Sequence, residues 1–508
     1  MAETAPRTDE WRAAILFTVA LTVVRLMVLF TSPLELYPDE AQYWLWSRTL
    51  DVGYYSKPPI VAWAIWASTA IGGDAEPWVR APAALFQAGA TLAVFALGRR
   101  LHGARTGLAA AALYGLMPGV QLSSLVAATD APLLFFLGLT ILAYAALQTA
   151  EGRARLRQAA ALGAALGLAF LSKYAAVYFV IGLALHLAVS REARAAWTPA
   201  SAALAAAACL LVLAPNLAWN AAHGFATFQH TAANAGWGGR SLFNPGELGE
   251  FLASQFGVFG PIPMGVLLAG LGLAAVRRRL TREDLLLLCF TIPPVLIVAA
   301  QAFISRANAN WSGAGYLTGA VLVAAWLTRW RARGWLVGAV ALQALIAAVF
   351  YAFVISPPLA EKAGASNSFK RAKGWGRTTD LVLRRAAVEP GLSAIAVNNR
   401  FLFYAMSYYG RDAFAAGAPP LKSWLLMEAP QNQAETAAPL TPGEGARVLA
   451  VAMEGNYRAE MEGDFARTSG LEIASVWLDR KHKRRIEMFV GEDFRPRPRD
   501  PVTGKPSP

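Results

Sequence analysis

Long apolar runs alternate with short polar segments over the first 355 residues of the chain. Runs of about 20 apolar residues are long enough to cross a bilayer as helices, and soluble cores do not repeat them. The pattern predicts eleven membrane-spanning helices, starting near residues 13, 80, 106, 131, 158, 174, 199, 259, 284, 312 and 335. The first run follows a short charged leader without a convincing cleavage site, so we expect it to be retained.

Beyond residue 356 the pattern changes to short stretches of alternating or mixed polarity. It predicts strands at 392–397, 447–453, 471–478 and 485–490, and a helix at 401–409. We therefore expect a mainly α, polytopic membrane protein with three parts. These are a transmembrane domain at 1–356, a small extracytoplasmic α/β domain at 357–493 and a disordered, proline-rich tail at 494–508.

Composition supports the membrane interpretation, because 56% of the 508 residues are hydrophobic and only 16% are charged. The net charge of +13 raises the question of nucleic acid. Much of the basic excess lies in short loops between apolar runs, where membrane topology explains it, so we expect no nucleic-acid partner. Cys209 and Cys289 lie inside apolar runs and predict neither a disulfide framework nor a metal cluster.

The distribution of lysine and arginine between alternate loops predicts the orientation, because cytoplasmic loops retain positive charge. One set of loops carries fifteen such residues: Arg99, Arg100, Arg105, Arg153, Arg155, Arg157, Arg191, Arg194, Arg277, Arg278, Arg279, Arg282, Arg329, Arg331 and Arg333. The other set is longer and carries six: Arg48, Lys57, Arg80, Lys173, Arg240 and Arg306. We expect a cytoplasmic N-terminus, and the loops at 31–79 and 219–258 and the C-terminal part on the outside.

The first external loop contains the candidate catalytic base. Asp39 and Glu40 are followed by Lys57, and aromatic residues including Tyr43, Tyr54 and Tyr55 surround them in sequence. Aromatic rings at this density also suit helices that lie in the headgroup region, with the charges simply solvated. Adjacent side chains diverge, so Asp39 and Glu40 are not expected to act on one atom together.

Three further charged residues lie inside or at the ends of apolar runs, where charges are costly and tend to mark sites. Arg25 lies in the first run, Asp130 opens a later run, and Lys173 lies at a short external turn. Each alone could be a snorkelling side chain or a helix cap. Together they predict a pocket near the outer face.

This constellation fits transfer of a sugar from a lipid phosphate to a hydroxyl. Asp39 would accept the proton of the attacking hydroxyl, and Asp130 would orient groups in the site. Lys57 and Arg25, with Lys173 as a weaker candidate, would stabilise the charge that grows on the departing phosphate. A single carboxylate base without a carboxylate nucleophile favours single displacement with inversion.

The strings at 38–44, 57–59, 129–133 and 308–311 resemble those of the polyprenyl-phosphate-dependent GT-C glycosyltransferases. Within that family the chain looks like the aminoarabinose and galacturonic acid transferases of lipid A and lipopolysaccharide core, and more distantly like the protein O-mannosyltransferases. The resemblance covers roughly residues 10–355. It implies eleven to thirteen spans with two juxtamembrane helices in the first external loop, Asp39 as the catalytic residue, and donor-phosphate contact by Lys57.

The resemblance also implies the partners and the location. We expect a polyprenyl-phosphate-linked sugar as donor, a lipid-anchored saccharide as acceptor at a hydroxyl or phosphate, and residence in the bacterial inner membrane. Candidate substrate-binding residues are Glu40, Tyr43, Tyr54, Tyr55, His223, His230 and Asn310. His223 and His230 lack a nearby acidic partner in sequence and make a weak metal pair, so a divalent ion is possible but not certain.

Two other functions remain open at this point. A lipid-linked sugar flippase would also need many spans and charges at membrane depth, although transporters tend to show repeated halves that are not evident here. A glycosyltransferase acting on protein or on cell-wall glycan would carry the same donor chemistry.

Two glycine motifs do not indicate sites. Gly270, Gly272 and Ala275 match a dinucleotide fingerprint only as letters, and Gly163 and Gly167 indicate helix packing.

Overall fold

The computed structural model describes residues 7–235, 242–277 and 280–500. Helices dominate the chain up to residue 355. They are α1 (Arg7–Thr31), α2 (Pro38–Ser47), α3 (Ile60–Gly72), α4 (Glu76–His102), α5 (Ala104–Gly115), α6 (Pro118–Ser124), α7 (Asp130–Leu147), α8 (Gly152–Ser172), α9 (Val177–Val189), α10 (Arg191–Ala195), α11 (Pro199–Ala222), α12 (Ala226–Ala235), α13 (Pro245–Phe259), α14 (Pro261–Arg277), α15 (Arg282–Ile304), α16 (Gly313–Arg329) and α17 (Arg333–Ile355). Short 3-10 helices at Tyr174–Ala176 and Ala309–Ser312 precede α9 and α16.

Helices and strands mix after residue 356. The helices are α18 (Pro357–Lys362), α19 (Trp375–Ala387), α20 (Arg400–Tyr409), α21 (Arg411–Ala415), α22 (Gln433–Ala437) and α23 (Arg458–Glu462). The strands are β1 (Ala394–Val397), β2 (Leu421–Ser423), β3 (Arg447–Met453), β4 (Phe465–Trp477) and β5 (Lys483–Phe494). The four predicted strands and the predicted helix are confirmed. β2 and α19 were not predicted.

Each of the eleven predicted spans begins near the start of a helix, but the count of eleven is not confirmed. Within the described residues, six helices are long and apolar enough to cross a membrane, or seven if the bent pair of α13 and α14 counts as one. Helices α5, α9 and α16 have 12, 13 and 17 residues, fewer than the roughly 20 that a straight span needs. Helices α2 and α3 correspond to the two helices expected in the first external loop.

The chain divides into two compact units, each defined by the contacts among its own residues. Residues 1–30 and 51–351 form the helical unit, and residues 31–50 group with residues 352–508 in the C-terminal unit. The predicted boundary at residue 356 placed residues 31–50 in the transmembrane domain. In the structure, the contacts of these residues group them with the C-terminal unit instead.

The core of the helical unit is built around α16, in which every residue from Ala314 to Leu327 is buried. Small residues allow other helices to approach closely. A Cβ atom on Gly163 of α8 would lie 2.1 Å from the carbonyl oxygen of Ala205 in α11. One on Gly167 would lie 2.8 Å from the side chain of Val212. The expectation that these glycines serve helix packing is confirmed, and α8 and α11 are held at backbone contact.

The arginine-rich loops lie at one end of the helical unit and are tied by ion pairs. Arg329 forms a two-pronged pair with the buried carboxylate of Asp284, at 2.6 and 3.0 Å. Arg99 binds Glu10 at 3.2 Å, and Arg282 binds Glu192 at 3.1 Å. These pairs join α1 to α4, α15 to α16, and α15 to α10.

The C-terminal unit contains a five-stranded mixed sheet in the order β2-β1-β3-β5-β4. β1 runs parallel to β2 and β3, with Ile395 opposite Leu421 and Ala396 opposite Ala450. β5 is antiparallel to β3 and β4. All residues of β1 are buried, as expected of a central parallel strand covered on both faces. The predicted mainly helical fold with a small C-terminal α/β part is therefore confirmed.

Part of the predicted disordered tail is bonded to the sheet unit. The backbone N–H of Arg497 donates to Asp464, and the buried Arg499 guanidinium forms a 2.6 Å ion pair with the same carboxylate. Residues 494–500 are therefore fixed by Asp464. Residues 501–508 lie outside the described residues.

Candidate active site

Asp39 occupies the first turn of α2 in the C-terminal unit and its side chain is exposed. Pro38 begins the helix, as suits a position where no N–H partner is needed. The carboxylate of Glu40 is buried and accepts the backbone N–H of Tyr37 at 2.8 Å, which fixes the start of the helix. A carboxylate in the first turn lies near the positive end of the helix dipole. Of the acidic pair, Asp39 is thus the exposed member and Glu40 the structural one.

Lys57 lies in the helical unit, half-buried, in the loop of residues 51–59 that precedes α3. Its carbonyl accepts the N–H of Tyr54 at 3.2 Å, and the hydroxyl oxygen of Tyr54 accepts the N–H of Asp51 at 3.1 Å. Burial raises the pKa of Tyr54 to about 12, so this hydroxyl remains neutral at ordinary pH. The loop is a compact turn that fixes the backbone on both sides of Lys57.

The end of α11 and the start of α12 hold this loop in place. Asn216 donates to the carbonyl of Val52 at 2.7 Å, and Trp219 donates its ring N–H to the carboxylate of Asp51 at 2.8 Å. Thr227 donates to the carbonyl of Tyr54, also at 2.8 Å. Three side chains from one helical corner therefore fix three points of the loop that carries Lys57.

A second tie runs from the same corner to the turn after α8. The hydroxyl of Tyr174 donates to Asn216 at 2.7 Å and accepts from Asn220 at 3.0 Å, and its ring stacks on Phe228 at 4.7 Å. We did not predict a role for Asn216. Asn216 and Asn220 are four residues apart in an otherwise apolar helix, which places two amides on one face. This spacing could have predicted a polar contact at the end of α11.

Asp130 and Lys173, which we expected in one pocket, lie together in the helical unit and are joined there by Asn310. The Lys173 ammonium lies 3.0 Å from Asp130, and Asn310 donates to the same carboxylate oxygen at 3.4 Å. Asp130 begins α7, and Lys173 follows the last residue of α8, where a cation is favoured by the helix dipole. Both side chains are about one-fifth exposed, at 19% and 21%. A phosphate that reached Lys173 would share it with Asp130.

Aromatic and imidazole rings line the exposed side of the α11–α12 corner. His223 is exposed and stacks on Trp219 with ring centres 4.0 Å apart, and His230 packs against Tyr55 at 6.0 Å. Among the residues that the structure describes, no group of three or more His, Cys, Asp or Glu side chains is placed to hold a metal ion. Exposed stacked rings suit contact with a sugar ring or a lipid headgroup.

Arg25 and Tyr43 lie in buried positions. Arg25 is 1% exposed within the helical unit and donates to the carbonyl of Gly115 at 2.6 Å and to Gln121 at 3.4 Å. Tyr43 is 6% exposed and packs on Trp46. In the structure the guanidinium of Arg25 is bonded to protein groups. Its contact with a donor phosphate stays a prediction.

Comparison with known proteins identifies relatives over most of the chain. The profile of the dolichyl-phosphate-mannose-protein mannosyltransferase family matches residues 56–219. The lipid A galacturonosyltransferase RgtD of Rhizobium johnstonii is 34% identical over 406 residues, which cover 79% of this chain and 83% of that protein.

Solved structures show the same fold. Crystal structures of ArnT from Cupriavidus metallidurans, in the apo state and bound to undecaprenyl phosphate, superpose on this chain with a TM-score of 0.65. Their sequence identity is 16% and 17%, and the match covers 93% of this chain and 97% of theirs. At this identity the likeness is one of fold.

Proposed function

This chain belongs to the GT-C glycosyltransferase family that includes lipid A galacturonosyltransferase RgtD, and on that premise we propose that it transfers a sugar from a polyprenyl-phosphate carrier to lipid A or lipopolysaccharide core. By the name of the relative, the sugar is galacturonic acid. The proposed reaction takes place on the extracytoplasmic face of the bacterial inner membrane. The observation that carries the proposal is the 34% identity to RgtD over 79% of the chain.

The proposed mechanism is a single displacement at the anomeric carbon. The acceptor oxygen attacks that carbon, its proton passes to the exposed carboxylate of Asp39, and the bond to the phosphate oxygen breaks. The polyprenyl phosphate leaves with the bonding electrons, and the anomeric configuration is inverted. An acceptor phosphate oxygen would need no base, so the role of Asp39 applies to a hydroxyl acceptor.

Two lysines of the helical unit are the proposed donor-phosphate ligands. Lys57 is held on a loop fixed at three points, and Lys173 lies beside Asp130 and Asn310. Ammonium groups stabilise the charge that grows on the departing phosphate oxygen. Asp130 orients Lys173 in this scheme. His223 and the neighbouring rings are proposed to contact the sugar.

The test is turnover by the purified full-length protein with polyprenyl-phosphate sugars and a panel of acceptors. Asp39→Asn should abolish transfer while donor binding persists, since the amide cannot accept a proton. Asp412→Asn is a matched control, because Asp412 is an exposed carboxylate in the same unit. If Asp39→Asn retained most of its activity, Asp39 would not be the base. Transfer to protein or cell-wall glycan but not to lipid A would replace the proposed acceptor.

Substitution of Lys57 tests the donor site separately. Lys57→Ala should raise the KM for the donor more than the KM for the acceptor, because the lost charge faces the donor phosphate. Lys362→Ala removes an exposed lysine of α18 and serves as the control. An unchanged donor KM in Lys57→Ala would count against this role. Movement of the carrier across vesicles without sugar transfer would favour the flippase alternative.

The proposed orientation has an independent test. We infer a cytoplasmic N-terminus from the fifteen basic residues in one set of loops against six in the other. Cysteine labelling from the outside should modify a cysteine introduced in the loop of residues 51–59. It should not modify one introduced beside Arg329. The reverse pattern would remove the proposed reaction from the extracytoplasmic face.

A further inference from the structure

The segment that carries Asp39 is built into the C-terminal unit. Residues 31–50 lie between two stretches of the helical unit in sequence, yet their contacts group them with residues 352–508. Helix α2 packs on α20, where the rings of Trp44 and Tyr408 meet edge to face at 4.9 Å. The position of the proposed base therefore depends on residues more than 300 positions away in the chain.

Glu35 makes the strongest of these attachments. Its carboxylate accepts the backbone N–H groups of Trp375 and Gly376, the latter at 3.1 Å, and its own N–H donates to the carbonyl of Ala372 at 3.0 Å. The first N–H groups of a helix have no partner inside the helix. Gly374, which precedes α19, supplies no side-chain cap. Glu35 therefore caps α19 from a distant part of the chain.

The charged groups around Glu35 offset only part of the effect that burial has on its carboxylate. The Arg484 guanidinium is 5% exposed, lies 3.4 Å from the ring centre of Trp375 and donates to Thr378 at 3.0 Å. Burial raises the pKa of Glu35, and the two N–H groups, Arg484 and Arg377 offset that rise incompletely. The carboxylate is thus harder to ionise in the folded protein than in the unfolded chain.

Two more bonds continue the attachment toward the start of α2. The N–H of Leu36 donates to the hydroxyl of Tyr409 at 2.7 Å, and the hydroxyl of Tyr37 donates to the carbonyl of Ser368 at 3.3 Å. Three consecutive residues are thereby bonded to the C-terminal unit. Asp39 follows two residues later, in the first turn of the helix that this attachment begins.

We propose that Glu35, assisted by Tyr409, is a positioning residue through which the C-terminal unit sets the location of the Asp39 carboxylate. The inference rests on the proposed function only in taking Asp39 as the base. Glu35 is bonded to the backbone of Ala372, Trp375 and Gly376, so it acts on Asp39 through the backbone of residues 35–38. A shift of about 1 Å in a reacting group can cost about a hundredfold in rate.

The test compares variants of the full-length protein in nanodiscs. Glu35→Gln replaces one carboxylate oxygen by an amide N–H that faces a backbone donor, and Tyr409→Phe removes the acceptor for Leu36. Both should lower kcat, by about tenfold to a hundredfold for Glu35→Gln, and leave the donor KM within about threefold. Glu35→Asp should recover part of the rate, because it keeps the carboxylate. Hydrogen exchange of residues 37–47 should rise in Glu35→Gln and in Tyr409→Phe.

Glu389→Gln is the matched control. Glu389 forms ion pairs with Arg385 and with Arg447 at 2.8 Å inside the C-terminal unit. It should change the melting temperature without changing exchange at residues 37–47. If all variants lost activity only in proportion to their melting temperatures, or if exchange at residues 37–47 stayed unchanged in Glu35→Gln and Tyr409→Phe, the positioning role would be overturned.

The two proposals fail in different ways. If Asp39→Asn kept its turnover in the same assay, the assignment of the base would fall. The exchange measurement would still decide whether Glu35 fixes residues 37–47. Should Glu35→Gln not fold, Tyr409→Phe keeps the test decisive, because it removes a single hydroxyl group from the same attachment.

Discussion

Asn216→Leu tests whether the corner of α11 and α12 holds the loop of Lys57. The side chain of Asn216 is fully buried and forms two hydrogen bonds of 2.7 Å, to the carbonyl of Val52 and from the hydroxyl of Tyr174. Leucine has a similar volume and can form neither bond. Tyr174 still accepts from Asn220, so its oxygen is not left bare.

The size of the effect follows from these two bonds. Each contributes about 1 kcal/mol net, and a buried carbonyl left without a partner costs about 1–3 kcal/mol more. The two lost bonds and the unpaired Val52 carbonyl together cost about 3–5 kcal/mol if that carbonyl stays dry, and about 2 kcal/mol if water reaches it. Val52 is only partly buried, so water can reach its carbonyl and the loss should be about 2–3 kcal/mol. Since each 1.4 kcal/mol is a factor of ten, this caps the loss of donor affinity at roughly thirtyfold to a hundredfold. We expect the donor KM to rise by about tenfold to a hundredfold, with a small change in acceptor KM.

Steady-state kinetics with varied polyprenyl-phosphate sugar measure this, and Gln343→Leu is the control. Gln343 is fully buried in α17 and donates its amide to the carbonyl of Phe259 at 2.9 Å, so its loss removes one similar bond elsewhere in the helical unit. The reasoning is refuted if Asn216→Leu has an unchanged donor KM at a normal melting temperature. It is also refuted if Gln343→Leu raises the donor KM equally.

Three further outcomes follow from ion pairs and burial. Asp130→Asn should lower the free energy of unfolding by about 1–3 kcal/mol, because it leaves the Lys173 ammonium without its carboxylate. Adding Lys173→Met should restore part of that loss, and melting temperatures of the two single variants and the double variant measure it. Arg329→Met should cost more, about 3–5 kcal/mol, because it leaves the carboxylate of Asp284, 1% exposed, without its cation. Burial raises the pKa of Glu35 above 4.5, so the folded protein binds this proton more tightly than the unfolded chain does. The contribution of Glu35 to stability should therefore fall as pH rises from 4.5 through the raised folded value. In a pH series, the melting temperature of wild type minus that of Glu35→Gln should decrease over this range.

Much of the architecture could be predicted because it is encoded locally. Long apolar runs located the helices, and short apolar runs located strands such as β3, which spans the predicted residues 447–453. Asp130 and Lys173 stood out as charged residues at the ends of apolar runs, and Asn310 as part of the family resemblance. The structure places Lys173 3.0 Å and Asn310 3.4 Å from the carboxylate of Asp130.

What could not be predicted depends on partners far apart in the chain. Asn216 and Val52 are 164 residues apart, and Glu35 and Trp375 are 340 apart, so no local periodicity signals either bond. Arg25 was recognised as a charge that needs a partner inside an apolar run. The sequence cannot distinguish a donor phosphate from the carbonyl of Gly115, which is the partner that the structure provides.

The close contact of α8 and α11 makes the spacing of distant groups sensitive to a single methyl group. Gly163 and Gly167 bring the two helices to backbone distance, and beyond them α8 leads to Lys173 while α11 leads to Asn216. Any larger side chain at Gly163 would wedge the pair apart, and the displacement would grow toward those far ends. If Lys173 and the loop held by Asn216 bind the donor as proposed, a substitution at Gly163 would change donor affinity without touching a sugar or a phosphate.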